Sequence, residues 1–272
     1  MEHYRLTNTK SIYCKQTRKM NVKKIVEDIY DYESSLYDKG RYANPGGRYI
    51  NEIELRLAYK FLKPGMVLEL ATGTGRFITP LSKLGFDCVG IDISLKMLKM
   101  AANKASKLKV ETHLLKMDAE NLGFRDECFD NVLIAHAFKF MDPSKVLQES
   151  LRVLRKKGRI ILICEAKDHP LRRLFLIIKD HSIFCKLLKY AKIGLPNLIE
   201  HFYSLYELCN ILENTGFKVT YFKRIFNFPF KFYRSINNEY IIKVLSMFDN
   251  KLPFGWINIV VGEKNEKRPY TD

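Results

Sequence analysis

Val67-Leu68-Glu69-Leu70-Ala71-Thr72-Gly73-Thr74-Gly75-Arg76-Phe77 decides how the rest of the chain reads. A short apolar run leads into a Gly-x-Gly turn and then a helix-length segment, and the glycines let backbone approach a ligand where a Cβ would collide. This is the construction of a nucleotide-type loop. A dinucleotide fingerprint needs a third glycine at position 78, which is Ile78, and no Lys-Ser/Thr pair follows the loop, so neither an NAD site nor a P-loop is complete.

Working outward, short apolar runs alternate with amphipathic segments from Met66 to Glu165. Strands are expected at Val67 to Ala71, Cys88 to Asp92, Glu111 to Lys116, Asn131 to Ala135 and Arg159 to Cys164. Helices are expected at Phe77 to Leu84, Ser94 to Leu108 and Pro143 to Arg155, the last capped by Asp142 and closed by Gly158. Such alternation predicts a parallel sheet with helices on both faces. Upstream, residues 20 to 60 read as helical, broken by a turn at Asn44-Pro45-Gly46-Gly47. Downstream come a helix over Tyr203 to Asn214, a strand over Phe217 to Phe222 and a last strand over Trp256 to Val261. Two insertions, 168–200 and 225–255, interrupt the order, and insertions of that length are more often functional lids than idle connections.

Two acids follow the loop at successive strand ends. Asp92, in Gly90-Ile91-Asp92-Ile93-Ser94, stands seventeen residues past Gly75, where a carboxylate accepts from both ribose hydroxyls of an adenosine. Asp118, in Lys116-Met117-Asp118-Ala119, stands where an adenine edge would lie, and can accept from its exocyclic amine. Either acid alone reads equally as a helix cap or a solvated loop residue; together with the loop they fall where open parallel sheets bind ligands.

VLELATGTGRF, GIDIS, KMDAENLGFRDECFD and LQESLRVLRKKGRIILICE resemble the successive motifs of class I S-adenosylmethionine-dependent methyltransferases, of the small-molecule type that includes the quinone-biosynthesis enzymes. The resemblance spans roughly residues 25 to 262. It implies a Rossmann-like, seven-stranded, mostly parallel sheet with helices on both faces, the last strand inserted antiparallel beside Phe217 to Phe222, and helical lid insertions. It implies S-adenosylmethionine as cofactor, a domain over 61–262, an N-terminal helical segment over 1–60 that closes on the cofactor, and a polar tail over 263–272. By the same resemblance Glu69, Ala71, Thr72, Gly73 and Gly75 hold the methionine end and Asp92 the ribose. Ile93 and Met97 flank the adenine, Asp118 and Ala119 meet its edge, and Tyr37 and Ala135 complete the set. Tyr30 and Tyr37-Asp38 resemble the aromatic segment that closes over the cofactor, although Tyr30 and Tyr37 also read as core. Phe124 reads as core, and Asp130 as a residue at the start of a strand. Ala71 departs from the glycine common in the family, which is tolerable only if its backbone avoids a positive φ.

Methyl transfer is an in-line displacement in which positioning carries most of the rate, with a base needed only if the acceptor holds its proton. The strand ending at Ala135 delivers His136 to the pocket rim, the best-placed general base, with a structural hydrogen-bonding role as the alternative. Enzymes acting on exocyclic base amines carry Asn/Asp-Pro-Pro-aromatic here; Ala135-His136-Ala137-Phe138 disfavours that substrate class.

The 272 residues carry 46 Lys+Arg against 30 Asp+Glu, a formal charge of +16, and residues 151–234 alone hold 17 basic against 6 acidic residues. Such an excess points to acidic partners. Leu171 to Lys189, if helical, reads as a basic amphipathic lid whose basic face is either solvated or docked on an anionic membrane surface. Phe226 to Arg234 interleaves aromatic and basic residues, which suits an apolar pocket wall, a subunit contact or base stacking. By the resemblance, a small-molecule or lipid-like acceptor is the first expectation. RNA or protein as substrate, or a non-catalytic cofactor-binding role, are the alternatives, and oligomeric state is left open. The six cysteines show no metal-ligand spacing, the N-terminus has no secretory apolar stretch, and the expected location is the cytoplasm.

Overall fold

In the computed structural model, which describes residues 22–171, 200–249 and 254–265, the apolar residues of each strand alternate between two faces. Leu68, Leu70, Val132, Ile134, Ile160, Leu162 and Val260 join one core; their neighbours Val67, Leu133, Ile161, Ile163, Ile259 and Val261 join the other. This two-residue period buries both faces of one sheet. Its seven strands are β1 (Met66–Leu70), β2 (Asp87–Asp92), β3 (His113–Lys116), β4 (Phe129–Ala135), β5 (Leu154–Glu165), β6 (Phe217–Ile225) and β7 (Ile257–Lys264). They lie in the order β3-β2-β1-β4-β5-β7-β6. The first five are parallel, and β7 inserts antiparallel between β5 and β6. The expected fold class is the one observed.

The N-terminal helices are α1 (Val22–Glu33), a 3₁₀ turn (Ser34–Leu36), α2 (Tyr37–Tyr42) and α3 (Pro45–Phe61). Then come α4 (Ile78–Lys83), α5 (Leu95–Leu108), α6 (Pro143–Val153), α7 (Leu205–Thr215), α8 (Phe230–Arg234) and α9 (Glu239–Phe248). Helices α6 and α7 cover one face through Val146, Leu147, Leu208 and Leu212. On the other face α3, α4, α8 and α9 bury Ile50, Ala58, Leu81, Tyr233 and Ile242. Asn44 caps α3 by accepting from Gly47 N at 2.8 Å, so Asn44-Pro45-Gly46-Gly47 starts a helix. Its glycines are there for contact: a Cβ on Gly46 would collide with the Tyr233 carbonyl and one on Gly47 with that of Arg41.

Several boundaries differ from expectation. α6 stops at Val153, not Arg155, and Gly158 does not close it, because Leu154 already pairs with Phe129 as the first residue of β5. The pairing then skips to Asn131 with Arg159, so residues 155–158 bulge out, with Lys157 at φ 60°. Asp130 holds the bulge by an ion pair with Arg155 and anchors β1 by accepting from Met66 N at 2.8 Å. β3 is shorter than expected, β6 runs on to Ile225, and α7 starts at Leu205 behind a Ser204/Glu207 capping box. Of the second insertion, α8 and α9 dock on α3. The amphipathic reading of Leu171 to Lys189 falls, after Leu171, outside the described residues. Among the described residues no helix is long and apolar enough to cross a membrane, and no cluster of His, Cys, Asp and Glu suits a metal ion.

Candidate active site

The strand order reverses between β1 and β4, and the carboxyl ends of the strands there open into a cavity of about 370 Å³ walled by α1, α2 and α8. Along that edge the strands present, in spatial order, Asp118 after β3, Asp92 on β2, Ala71 after β1, His136 after β4 and Glu165 on β5. Of the expected site residues, Tyr37, Ala71, Gly73, Asp92, Ile93, Met97, Asp118, Ala119, Ala135 and His136 line the cavity.

Glu69, Thr72 and Gly75 do not line it; they lie behind the loop. Glu69, buried, accepts from Thr72 Oγ1 at 2.6 Å and from Ile78 N at 3.0 Å, which fixes the loop to the start of α4. Burial pushes its carboxyl up to about 7. A Cβ on Gly75 would meet Thr79 and Ala101, so that glycine serves the contact of the loop with α4 and α5. Gly73, at φ 56°, has open space before it. Ala71 does not avoid a positive φ: it sits at 55°, contrary to the condition set for an alanine there. The residue leaves β1 for a turn that Thr72 N and Gly73 N pin to β2, through Ile91 O at 2.8 Å and Asp92 Oδ2 at 2.8 Å. Those anchors hold the strained conformation.

Asp92 is nearly buried, and its other oxygen accepts from Ser94 N at 2.8 Å. Burial pushes this carboxyl up as well. With one backbone donor on each oxygen, a lone pair remains on each for a ligand hydroxyl. Asp118 accepts from Lys23 Nζ at 2.5 Å and Glu120 N at 3.0 Å, and Lys23 also reaches Glu120 at 2.7 Å. Further polar bonds fasten the N-terminal helices: Ser94 Oγ to Asp31 at 2.5 Å, Thr74 Oγ1 to Asp38 at 2.6 Å and Lys104 to Asp38 at 2.7 Å. Tyr30 lies between Tyr37 and Phe140, with ring centres 6.1 and 5.9 Å away.

At the other end His136 sits at φ 61°, in T-shaped contact with Phe230 at 5.4 Å. Its Nε2 is 2.8 Å from Glu54 Oε1, and its Nδ1, 3.8 Å from Glu165 Oε1, is buried without a hydrogen bond. Glu54 is fully buried and paired with Arg76 at 2.7 Å; Glu165 is paired with Lys139 at 3.0 Å, and Lys139 with Glu200 at 3.0 Å. Charges thus alternate along Arg76, Glu54, His136, Glu165, Lys139 and Glu200. Burial disfavours the imidazolium, but the two carboxylates outweigh it and hold His136 above its ordinary value. Burial likewise opposes ionisation of Glu54 and Glu165, yet their cations hold both below the usual carboxylate range. Sequence reasoning missed Glu54, Arg76, Lys139 and Glu165. Glu54 had a signal: it lies four residues from both Ile50 and Ala58 on the buried stripe of α3. Glu165 had another, an acid at a strand end like Asp92.

A methyltransferase-domain family profile matches residues 68–162. A demethylmenaquinone methyltransferase of Clavibacter sepedonicus is 30% identical over 188 residues, covering 68% of this chain and 73% of that one. The chain belongs to the class I S-adenosylmethionine-dependent methyltransferases. An uncharacterized protein of Methanocaldococcus jannaschii is 29% identical to this methyltransferase over 192 residues, 70% of this chain and 82% of its own. Among solved structures, a SAM-dependent methyltransferase of Thermotoga maritima shares the fold, with a TM-score of 0.62 and 23% identity over 90% of this chain and 100% of that chain.

Proposed function

We propose that the enzyme transfers a methyl group from S-adenosylmethionine to a small-molecule or lipid-like acceptor held in the cavity. The observation that carries the reading is Asp92, clipped to Gly73 on the cavity wall with acceptor capacity left on both oxygens. Asp92 would hold the ribose hydroxyls, Ile93 and Met97 the adenine faces, Asp118 and Ala119 its edge, and the backbone of Ala71 and Gly73 the amino-acid end. Glu69, Thr72 and Gly75 act through the shape of the loop, and Tyr37 and Ala135 close the walls. When bound, the cofactor supplies an electrophilic methyl group.

The chain's own contribution is orientation, exclusion of water and the handling of one proton. His136 lines the cavity with its Nε2 proton donated to Glu54 and its buried Nδ1 unpartnered, so a turn of the ring toward the bound molecule would let Nδ1 take the proton of an acceptor hydroxyl or amine. Enclosure by α1, α2 and α8 suits a small acceptor over a polymer. The relatives named demethylmenaquinone methyltransferases support a flat, lipid-like one, in keeping with the walls of Tyr30, Tyr37, Phe140 and Phe230.

Calorimetry with S-adenosylmethionine, S-adenosylhomocysteine and NAD tests the reading. Both sulfur ligands are expected to bind, and Asp92→Ala to weaken them by about 1.5–3 kcal/mol, the worth of a charge-assisted hydrogen bond. Tight NAD binding without either sulfur ligand would overturn it, and an unchanged affinity in the variant would remove the ribose assignment.

A further inference from the structure

At the end of the cavity near β4 and β5, two cations of α8, Lys231 and Arg234, form no ion pair among the described residues; Lys231 is exposed to solvent and Arg234 is half-buried. Arg234, the last residue of α8, lies over Phe230 and Tyr42, its guanidinium carbon 5.1 and 5.5 Å from the two ring centres. Its Nε is buried and makes no hydrogen bond, and among the described residues it forms no ion pair. Arg41 and Lys139 on this wall are engaged, Arg41 with Glu33 at 2.9 Å and Lys139 with two carboxylates. The backbone of Arg234 is held without help from its charge, because Asn44 Nδ2 donates to its carbonyl. A planar guanidinium beside two aromatic rings, partly desolvated and without an ion pair, can receive a carboxylate through parallel N–H···O bonds.

The placement is asymmetric. Asp92, Asp118 and Glu120 of the cavity's acids stand at the β2 and β3 end, where the cofactor reading puts the adenosine. Arg234 reaches the opposite end through Phe230, the ring that also touches His136. A molecule seated against Phe230 with its charged group on Arg234 would present its remaining edge to His136.

We propose that Arg234 binds a carboxylate on the methyl acceptor, so that the acceptor is a flat apolar molecule carrying that anion. The proposal rests on the methyltransferase reading of the cavity and adds the chemical class of its second ligand.

The test uses the full chain and two probes of equal shape, 2-naphthoate and the neutral 2-naphthamide, titrated calorimetrically with and without saturating S-adenosylhomocysteine. Naphthoate is expected to bind at least about tenfold more tightly than the amide, one charge-assisted contact. Arg234→Gln should abolish that preference while S-adenosylhomocysteine affinity stays, and Arg234→Lys, which keeps the charge without the fork, should restore part of it. Equal binding of the two probes, binding of neither, or an unchanged preference in Arg234→Gln overturns the proposal. If Arg234→Gln no longer folds, the wild-type preference and its reduction in Arg234→Lys decide. Failure of S-adenosylhomocysteine to bind the wild type counts against the cofactor reading; failure of naphthoate once that ligand is bound counts against Arg234 alone.

Discussion

Two residues at the heart of the site, Ala71 and His136, adopt left-handed backbone that costs an L side chain roughly 1–2 kcal/mol. Ala71 gains nothing visible from its methyl group, so Ala71→Gly should stabilise the fold by about 0.5–1 kcal/mol in urea unfolding, once the extra freedom of glycine in the unfolded chain is set against relieved strain. His136 is different, because the strain delivers its ring to Glu54. Removing that charge in Glu54→Gln should lower the imidazole pKa, seen as an NMR titration midpoint moving down. It should also destabilise the protein by about 3 kcal/mol or more, since Arg76 is left buried without its partner. At this scale it was place that the sequence made readable: the strand ends put Asp92, Asp118 and His136 on the cavity wall. Ala71 resisted, since its φ depends on backbone bonds to β2 that no local pattern encodes.

Among elements, the period-two alternation of the strands and the cap at Asp142 made most of the sheet and its helices legible, while Asn44, read as part of a turn, proved to cap α3. The junction of α6 and β5 was not. Gly158 is a good helix stop in isolation, but the tertiary pairing of Leu154 with Phe129 starts the strand earlier and spends the glycine in a bulge. Glu54 and Arg234 were hidden for a related reason: their importance arises from α3 and α8 docking on each other beside His136, a contact made between segments some 180 residues apart in the chain. Helices α1 and α2 meet the sheet edge largely through polar bonds from Lys23, Asp31 and Asp38. Each such bond contributes about 0.5–1.5 kcal/mol. The triple variant Lys23→Ala, Asp31→Ala, Asp38→Ala should therefore open α1 roughly tenfold to a thousandfold more often, read as faster amide hydrogen exchange over Val22–Glu33 with β1 and β4 unchanged.

For the molecule as a whole, the buried ionisable groups set how stability follows pH. Glu54 and Glu165, held below the usual carboxylate range, contribute stability above it that is lost as pH falls through their folded values. His136, held above 6.5, contributes stability that is complete below 6.5 and is lost as pH rises through its folded value. Glu69 has the opposite sign to the other two acids: raised from 4.5 to about 7, it folds best protonated and costs stability as pH climbs through that interval. Unfolding free energy should accordingly peak in mildly acidic solution, near about pH 5–6, and decline toward pH 8. Glu69→Gln keeps an oxygen for Thr72 and Ile78 and should raise stability at pH 8 by on the order of 3 kcal/mol, flattening the alkaline side of the curve. A curve that still declines in that variant would place the cause elsewhere.

The fastening of α1 and α2 also has a consequence in time. A molecule seated between Met97, Asp92 and Asp118 has Lys23, Val26 and Tyr30 of α1 across its way out. Where that helix must swing aside for the molecule to leave, residence is timed by how often a few polar bonds open, and the sheet need not loosen at all. Product departure becomes a matter of ionic strength as much as of affinity, because the latch is largely built from charges that salt can screen.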